Sequence, residues 1–182
     1  MIKSKENIQS FLIAFLLIII AAVTRFIPYH PFNFTAIGAM ALFSGVAFRD
    51  KRIAFLLPMA AMFISDLFIG FHFSILPVYA CFVFTVWMGV LITRNQTVFN
   101  IGCMSLLSSI VFFLVTNLPL WYMDLRLYPM TVAGTLESYS MALPFFRNQI
   151  AGDLFYNTLL FGSFYLLMHK RSSVTVIKAH KK

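Results

Sequence analysis

Long apolar runs broken by short polar turns dominate this chain. A helix needs about 20 apolar residues to cross a hydrocarbon core, with a range of roughly 17–25. Six stretches meet or approach that length: residues 10–26, 34–48, 53–71, 75–93, 99–118 and 150–168. The second is short and rich in small residues, which suits a place inside a bundle. Ala36, Gly38, Ala41 and Gly45 lie along one side of it, with Ala41 and Gly45 at the spacing that lets helices approach closely. Ala60 and Ala61 offer the same in the third run. Residues 119–149 are too polar to span, but their aromatic content, Trp121, Tyr122, Tyr128 and Tyr139 among them, predicts an interfacial cap. The pattern predicts one domain over residues 1–182, an all-α polytopic membrane protein with six transmembrane helices.

Composition strengthens that reading. The 182 residues are 60% hydrophobic and 11% charged, and mean hydropathy is +0.86. Soluble domains carry about 45–50% apolar and about 25% charged residues, and a chain this short has too much surface to hide the excess. A soluble enzyme, a disordered tail and a disulfide-stapled module are therefore excluded. Cys81 and Cys103 fall at different depths of the fourth and fifth spans, so they read as two small buried apolar residues rather than a disulfide. Lys3 and Lys5 ahead of an apolar run imitate a signal peptide, but no small-x-small cleavage site follows, and the run reads as an uncleaved helix.

Charge adds orientation. With both termini inside, eleven of the fourteen Lys and Arg residues are cytoplasmic, and only Arg25, Arg126 and Arg147 fall outside. This positive-inside bias predicts an N-in/C-in protein of a bacterial cytoplasmic (inner) membrane. The basic residues are scattered over short loops as topology signals, so the net charge of +8 does not imply nucleic acid.

The polar residues inside the apolar runs are the candidates for function, because a charge at the bilayer centre costs about 2.5–3.5 kcal/mol and usually faces a bundle interior or a cavity. In the predicted topology they gather at the outer level. Arg25 ends the first span, and Asn33 and Thr35 can cap the second. Asp66 lies in the outer half of the third, and Asn117 and Trp121 lie at the end of the fifth. Arg147 precedes the sixth span, and Asp153 and Asn157 sit on it. Ser105, Ser108, Ser109 and Thr116 form a polar stripe along the fifth span, read as helix-packing glue or ligand contact. Other readings apply to single residues: Arg25 can snorkel to lipid phosphate, Asp66 can pair with Arg25 or Arg147, and Asp153 can favour its own helix dipole. The phrases Ser65-Asp66-Leu67-Phe68 and Gly152-Asp153-Leu154-Phe155 hint at an inverted repeat. No nucleotide-binding or hydrolase motif occurs, and no cofactor is implied.

The stretch from Arg25 to Phe43, the turn Phe48-Arg49-Asp50-Lys51-Arg52, the run from Ser65 to His72, Thr116-Asn117, and Pro144 to Asn148 leading into Gly152-Asp153 resemble an uncharacterised family of small bacterial membrane proteins over nearly the whole chain. In size, helix number and outward polar loops the chain is also similar to the substrate-binding S components of energy-coupling-factor transporters. That resemblance implies an S-component-like bundle that captures a small molecule, of a vitamin or precursor class, near the outer face. It also implies docking on a membrane scaffold subunit driven by cytoplasmic ATPases. The alanine-x-x-x-alanine docking patch of the first helix is absent, since Ala14 is followed four residues later by Ile18 and Ala21 by Arg25.

The leading expectation is thus a substrate-capture protein, not an enzyme, whose site is built from Arg25, Asn33, Asp66, Asn117, Trp121, Arg147, Asp153 and Asn157, with arginine forks for an anionic group and aromatic rings to stack on a planar one. The alternatives are an intramembrane enzyme acting on a lipid or isoprenoid headgroup, with Asp66, Asp153 and His72 as acid–base or metal groups, and a ligand-free accessory subunit. The last requires charges that pair off completely and no cavity of ligand size.

Overall fold

The computed structural model describes residues 2–26, 31–70, 74–125 and 127–179. Among them are six α-helices: α1 (Ile2–Val23), α2 (Ile37–Ala47), α3 (Lys51–Ile69), α4 (Ile75–Leu91), α5 (Val98–Thr116) and α6 (Val132–Ala179). Single 3₁₀ segments follow α1 (Thr24–Phe26) and α5 (Pro119–Leu125). Three helices are long and apolar enough to cross a membrane: α3, α5 and the part of α6 from Val132 to Met168. Residues 10–26, α2 and α4 are shorter apolar helices.

α2 is the axle of the bundle. It packs on all five other helices, and these close a ring around it in the order α1, α3, α4, α5, α6. Nine of its eleven residues are buried, which explains why the second apolar run lacks a polar face. Small residues make the axle thin enough. A Cβ on Gly45 would strike the Val86 carbonyl of α4, and one on Gly89 would strike the Leu42 carbonyl of α2, so the two helices cross backbone to backbone as the small-residue spacing predicts. In α3, by contrast, Ala60 is exposed and contributes no such face. The ring helices turn apolar side chains outward, with Leu16 of α1, Leu56 of α3 and Leu166 of α6 each more than half exposed.

Local chemistry sets the helix ends. Asp50 caps α3 by accepting from the Arg52 N–H at 2.9 Å, and the Lys51 ammonium donates to the Gly45 and Phe48 carbonyls at the negative end of α2. Pro58 lies inside α3 and cannot donate to the Ala54 carbonyl one turn back. The Ser44 hydroxyl of α2 donates to that carbonyl instead, at 2.7 Å. A proline in the ring is thus satisfied by a serine in the axle.

Two expectations need correction. The sixth helix does not start at residue 150, because α6 runs unbroken from Val132, and of the expected cap Pro119–Leu125 and residues 127–131 lie outside it. The physical reason is a small and polar stripe at helical spacing: Gly134, Ser138, Ala142, Asp153 and Asn157 are all buried on one face, continuous across the supposed boundary. Cys103 is exposed, so only Cys81 is a buried apolar residue; both are free thiols.

Candidate functional site

Arg25, Asn33 and Thr35 between α1 and α2, Ser74 ahead of α4, and Asn117, Tyr122, Leu127 and Tyr128 after α5 come together around a partly open cavity of about 530 Å³. Its walls come from the N-terminus of α2, the first turns of α4, the last turns of α5 and the first half of α6. Phe82, Phe112, Phe113, Phe145 and Phe146 make it aromatic, and Phe113 stacks on Phe146 with ring centroids 4.4 Å apart. Tyr122 and Tyr128 border it from the segment after α5. Burial, with Tyr128 nearby, raises the Tyr122 phenol above its ordinary value, which keeps it neutral as a donor to the Thr116 carbonyl at 3.1 Å.

Four of the eight predicted residues line this cavity: Arg25, Asn33, Asn117 and Asp153. Asn33 has a φ of +63° in the turn where the Phe34 N–H donates to the Pro31 carbonyl at 2.9 Å. Asparagine tolerates the left-handed conformation such a turn requires. The turn is pinned to α6 by the Asn148 amide, which donates to the Phe32 carbonyl at 3.1 Å. Asn117 closes α5 by donating to the Phe113 carbonyl at 2.8 Å, and its own carbonyl accepts from the Ser138 hydroxyl at 2.7 Å.

The two buried aspartates have different partners. Asp66, 3% exposed, receives Arg25 Nη1 at 2.7 Å and the Tyr79 hydroxyl at 2.7 Å. The same guanidinium nitrogen also donates to Ser65 Oγ and to the Met62 carbonyl at 3.3 Å. The ion pair foreseen for Asp66 is therefore formed with Arg25, and Asp66 itself lies behind the cavity wall. Among the described residues no arginine pairs with Asp153. Its carboxylate accepts from the Ser109 hydroxyl at 2.8 Å and from the backbone N–H of Ala39. Ala39 is in the first turn of α2, whose N-terminal residue Ala36 makes no side-chain cap. Asp153 thus caps α2 from another helix, in the favourable field of its positive end. This corrects two expectations: neither Asn33 nor Thr35 caps α2, and the dipole that Asp153 complements is that of α2, since it sits well inside α6. Gly38 makes room, because a Cβ there would collide with the Asp153 carboxylate.

The other three predicted residues lie apart from the cavity. The Trp121 indole N–H is committed to the Val115 carbonyl at 2.6 Å. Arg147 is exposed on α6 and lines no part of the cavity. Asn157 is buried one turn beyond Asp153, where its amide donates to Ser105 Oγ at 2.9 Å. The serine stripe of α5 is buried against this face of α6. His30, His72 and Arg126 lie outside the described residues. Sequence reasoning missed Ser138, Ala142, Phe146 and Gln149, all on the cavity wall. The Gly134–Ser138–Ala142 stripe, in phase with Asp153 and Asn157, was the signal. Among the described residues no group of three or more His, Cys, Asp or Glu side chains converges.

Residues 5–176 match the model of a family of unknown function, DUF6580. The chain belongs to that family. No curated protein and no solved structure matches it. Membership extends across all six helices and both aspartates, so the cavity is framed entirely by family sequence.

Proposed function

We propose that this DUF6580 protein is a six-span membrane protein, N-in/C-in, that captures a small molecule in the cavity at its outer end, in the manner of the S components of energy-coupling-factor transporters. The observation that carries the reading is the cavity itself. Its volume of about 530 Å³ is in the usual range for small-molecule sites, which are mostly apolar with a few placed polar groups. Aromatic walls, the Arg25 guanidinium, the Asn117 amide and the Asp153 carboxylate are that combination. Three helices of spanning length and the apolar outer surface of the ring support a bilayer around it. α2, at eleven residues, spans less than the hydrocarbon core, so in this reading the non-helical residues 31–36, with their turn at Asn33, lie at membrane depth. Such broken spans are tolerated where the irregular backbone lines a cavity.

The cavity also favours capture over the ligand-free accessory role, which calls for a collapsed interior. As for docking on a scaffold, Ala14, Ile18 and Ala21 of α1 are all buried in the core against the rest of the bundle, so a scaffold subunit would have to use another face of α1 or another helix.

The test is a thermal-shift screen of small metabolites on the purified protein beside the variant Ala142→Trp, which places an indole in the cavity. A ligand held there raises the melting temperature of the wild type, by about 2.7 kcal/mol of stabilisation at a hundredfold excess over Kd, and leaves the filled variant unmoved. Equal shifts in both proteins would place binding elsewhere and defeat the proposal.

A further inference from the structure

A second recess lies beside Asp153 and adjoins the large cavity, sharing Gly38, Phe82, Phe112, Gln149 and the carboxylate with it. Its free space is about 10 Å³, room for one particle the size of a water molecule. Its polar side chains are Thr85, Ser105, Ser108, Ser109, Gln149 and Asp153, which bring oxygens and one amide nitrogen.

Two of the four hydroxyl groups have acceptors within the protein. Thr85 donates to the Cys81 carbonyl at 2.9 Å. The single hydroxyl proton of Ser109 is shared between the Ser105 carbonyl at 3.0 Å and the Asp153 carboxylate at 2.8 Å. Each keeps lone pairs in reserve. Among the described residues two further oxygens in this cluster have no hydrogen-bond partner, Ser108 Oγ and Asn157 Oδ1, although both residues are only 4% exposed. Buried polar atoms are rarely left so. Ser108 borders the recess, and Asn157 is bonded to the Ser105 hydroxyl beside it. The only formal charge among the lining residues is the Asp153 carboxylate, whose partners on the α2 side supply a partial positive charge and no cation.

We propose that this recess is a binding site for a single monovalent metal cation of sodium size, held by the Asp153 carboxylate and the hydroxyl oxygen of Ser108, with the neutral oxygens of Thr85, Ser105 and Ser109 completing the shell. Hard cations take oxygen ligands of this kind. One carboxylate balances one monovalent charge and leaves the buried site neutral, whereas a divalent ion would leave an excess charge in a low-dielectric interior. A water molecule fits the space but brings no charge to offset the desolvated carboxylate. Because Asp153 borders both spaces, the ion sets the electrostatics of the larger cavity. The site stands on the recess alone and does not depend on what the larger cavity holds.

The probe is sodium itself. Purified full-length protein is melted in NaCl and in choline chloride at equal ionic strength, and ²²Na⁺ binding is counted in parallel. The expected result is a sodium-specific rise in melting temperature that saturates, with one ion bound per chain. Ser108→Ala, a one-atom deletion that leaves the fold in place, weakens the half-saturating concentration by about tenfold or more, and Asp153→Asn abolishes the response. Identical melting in the two salts with no bound ²²Na⁺ overturns the proposal and leaves the recess to water. A response to pH alone, unaffected by sodium, overturns it in favour of a proton. Neither outcome touches capture in the larger cavity, which the Ala142→Trp comparison reads separately.

Discussion

Asp66 and Asp153 occupy near-identical phrases, Ser65-Asp66-Leu67-Phe68 and Gly152-Asp153-Leu154-Phe155, and are almost equally buried, yet the bundle uses them in opposite ways. Asp66 is neutralised by a full positive charge, Arg25, and then walled off from the cavity. Asp153 is held by a hydroxyl, a backbone N–H and a helix end, and it stays on the cavity wall. The difference follows from what each meets. Asp66 is near the end of α3, level with the end of α1 where Arg25 sits. Asp153 meets Ser109, seven residues or about 10 Å before the end of α5, where its partners are a hydroxyl and the N-terminus of α2. One aspartate staples the wall; the other presents its carboxyl group to the cavity.

That contrast can be broken most severely at the ion pair. Arg25→Met leaves Asp66 buried with only Tyr79 and is expected to cost about 3–5 kcal/mol. The double variant Arg25→Met, Asp66→Leu is expected to recover most of the loss, as an apolar replacement of a paired site. Unfolding in detergent checks both, and a double variant no better than the single would mean the pair is not the unit. Next in size is Gly38→Ala, which drives a methyl into the Asp153 carboxylate and is expected to destabilise by about 1–3 kcal/mol. Asp153→Asn preserves the shape but removes the charge at the α2 N-terminus, for an expected loss of about 1 kcal/mol. The smallest effect is a gain. At Gly162, further along α6, a Cβ meets nothing within 4 Å, so Gly162→Ala is expected to stabilise by about 0.5–1 kcal/mol. If Gly38→Ala behaved like Gly162→Ala in the same melting experiment, Asp153 would not press against α2.

How much of this was legible beforehand depends on the length scale of the signal. The apolar runs marked α2 to α5 to within a few residues, because hydrophobic length is a local property. The crossing of α2 on α4 was half legible: Gly45 stood out at small-residue spacing, but its partner Gly89 is recognisable only once the two backbones touch. The start of α6 was misplaced because overall polarity was weighed above periodicity, although Gly134, Ser138 and Ala142 carried the helical spacing. Depth alone gathered the eight candidate residues, and depth cannot tell which side of a wall a side chain takes. That is why Asp66 and Asn157 belong to the cluster without lining the cavity, whereas Arg147, at the right level, lies outside it. The trans-cap of α2 by Asp153 was beyond reach, since it joins residues more than a hundred positions apart.

The central claim is an aromatic cavity with a few polar groups, open to the outer face, and substituted-cysteine labelling tests it most directly. In a background where Cys81 and Cys103 are replaced, a cysteine is placed at Ala142 on the cavity wall or at Leu166 on the outward apolar face of α6. Intact cells are then treated with a membrane-impermeant thiol reagent. The expected result is labelling of Ala142→Cys from outside and none of Leu166→Cys. Labelling of Ala142→Cys only after the cells are opened, or not at all in a folded protein, would contradict the account.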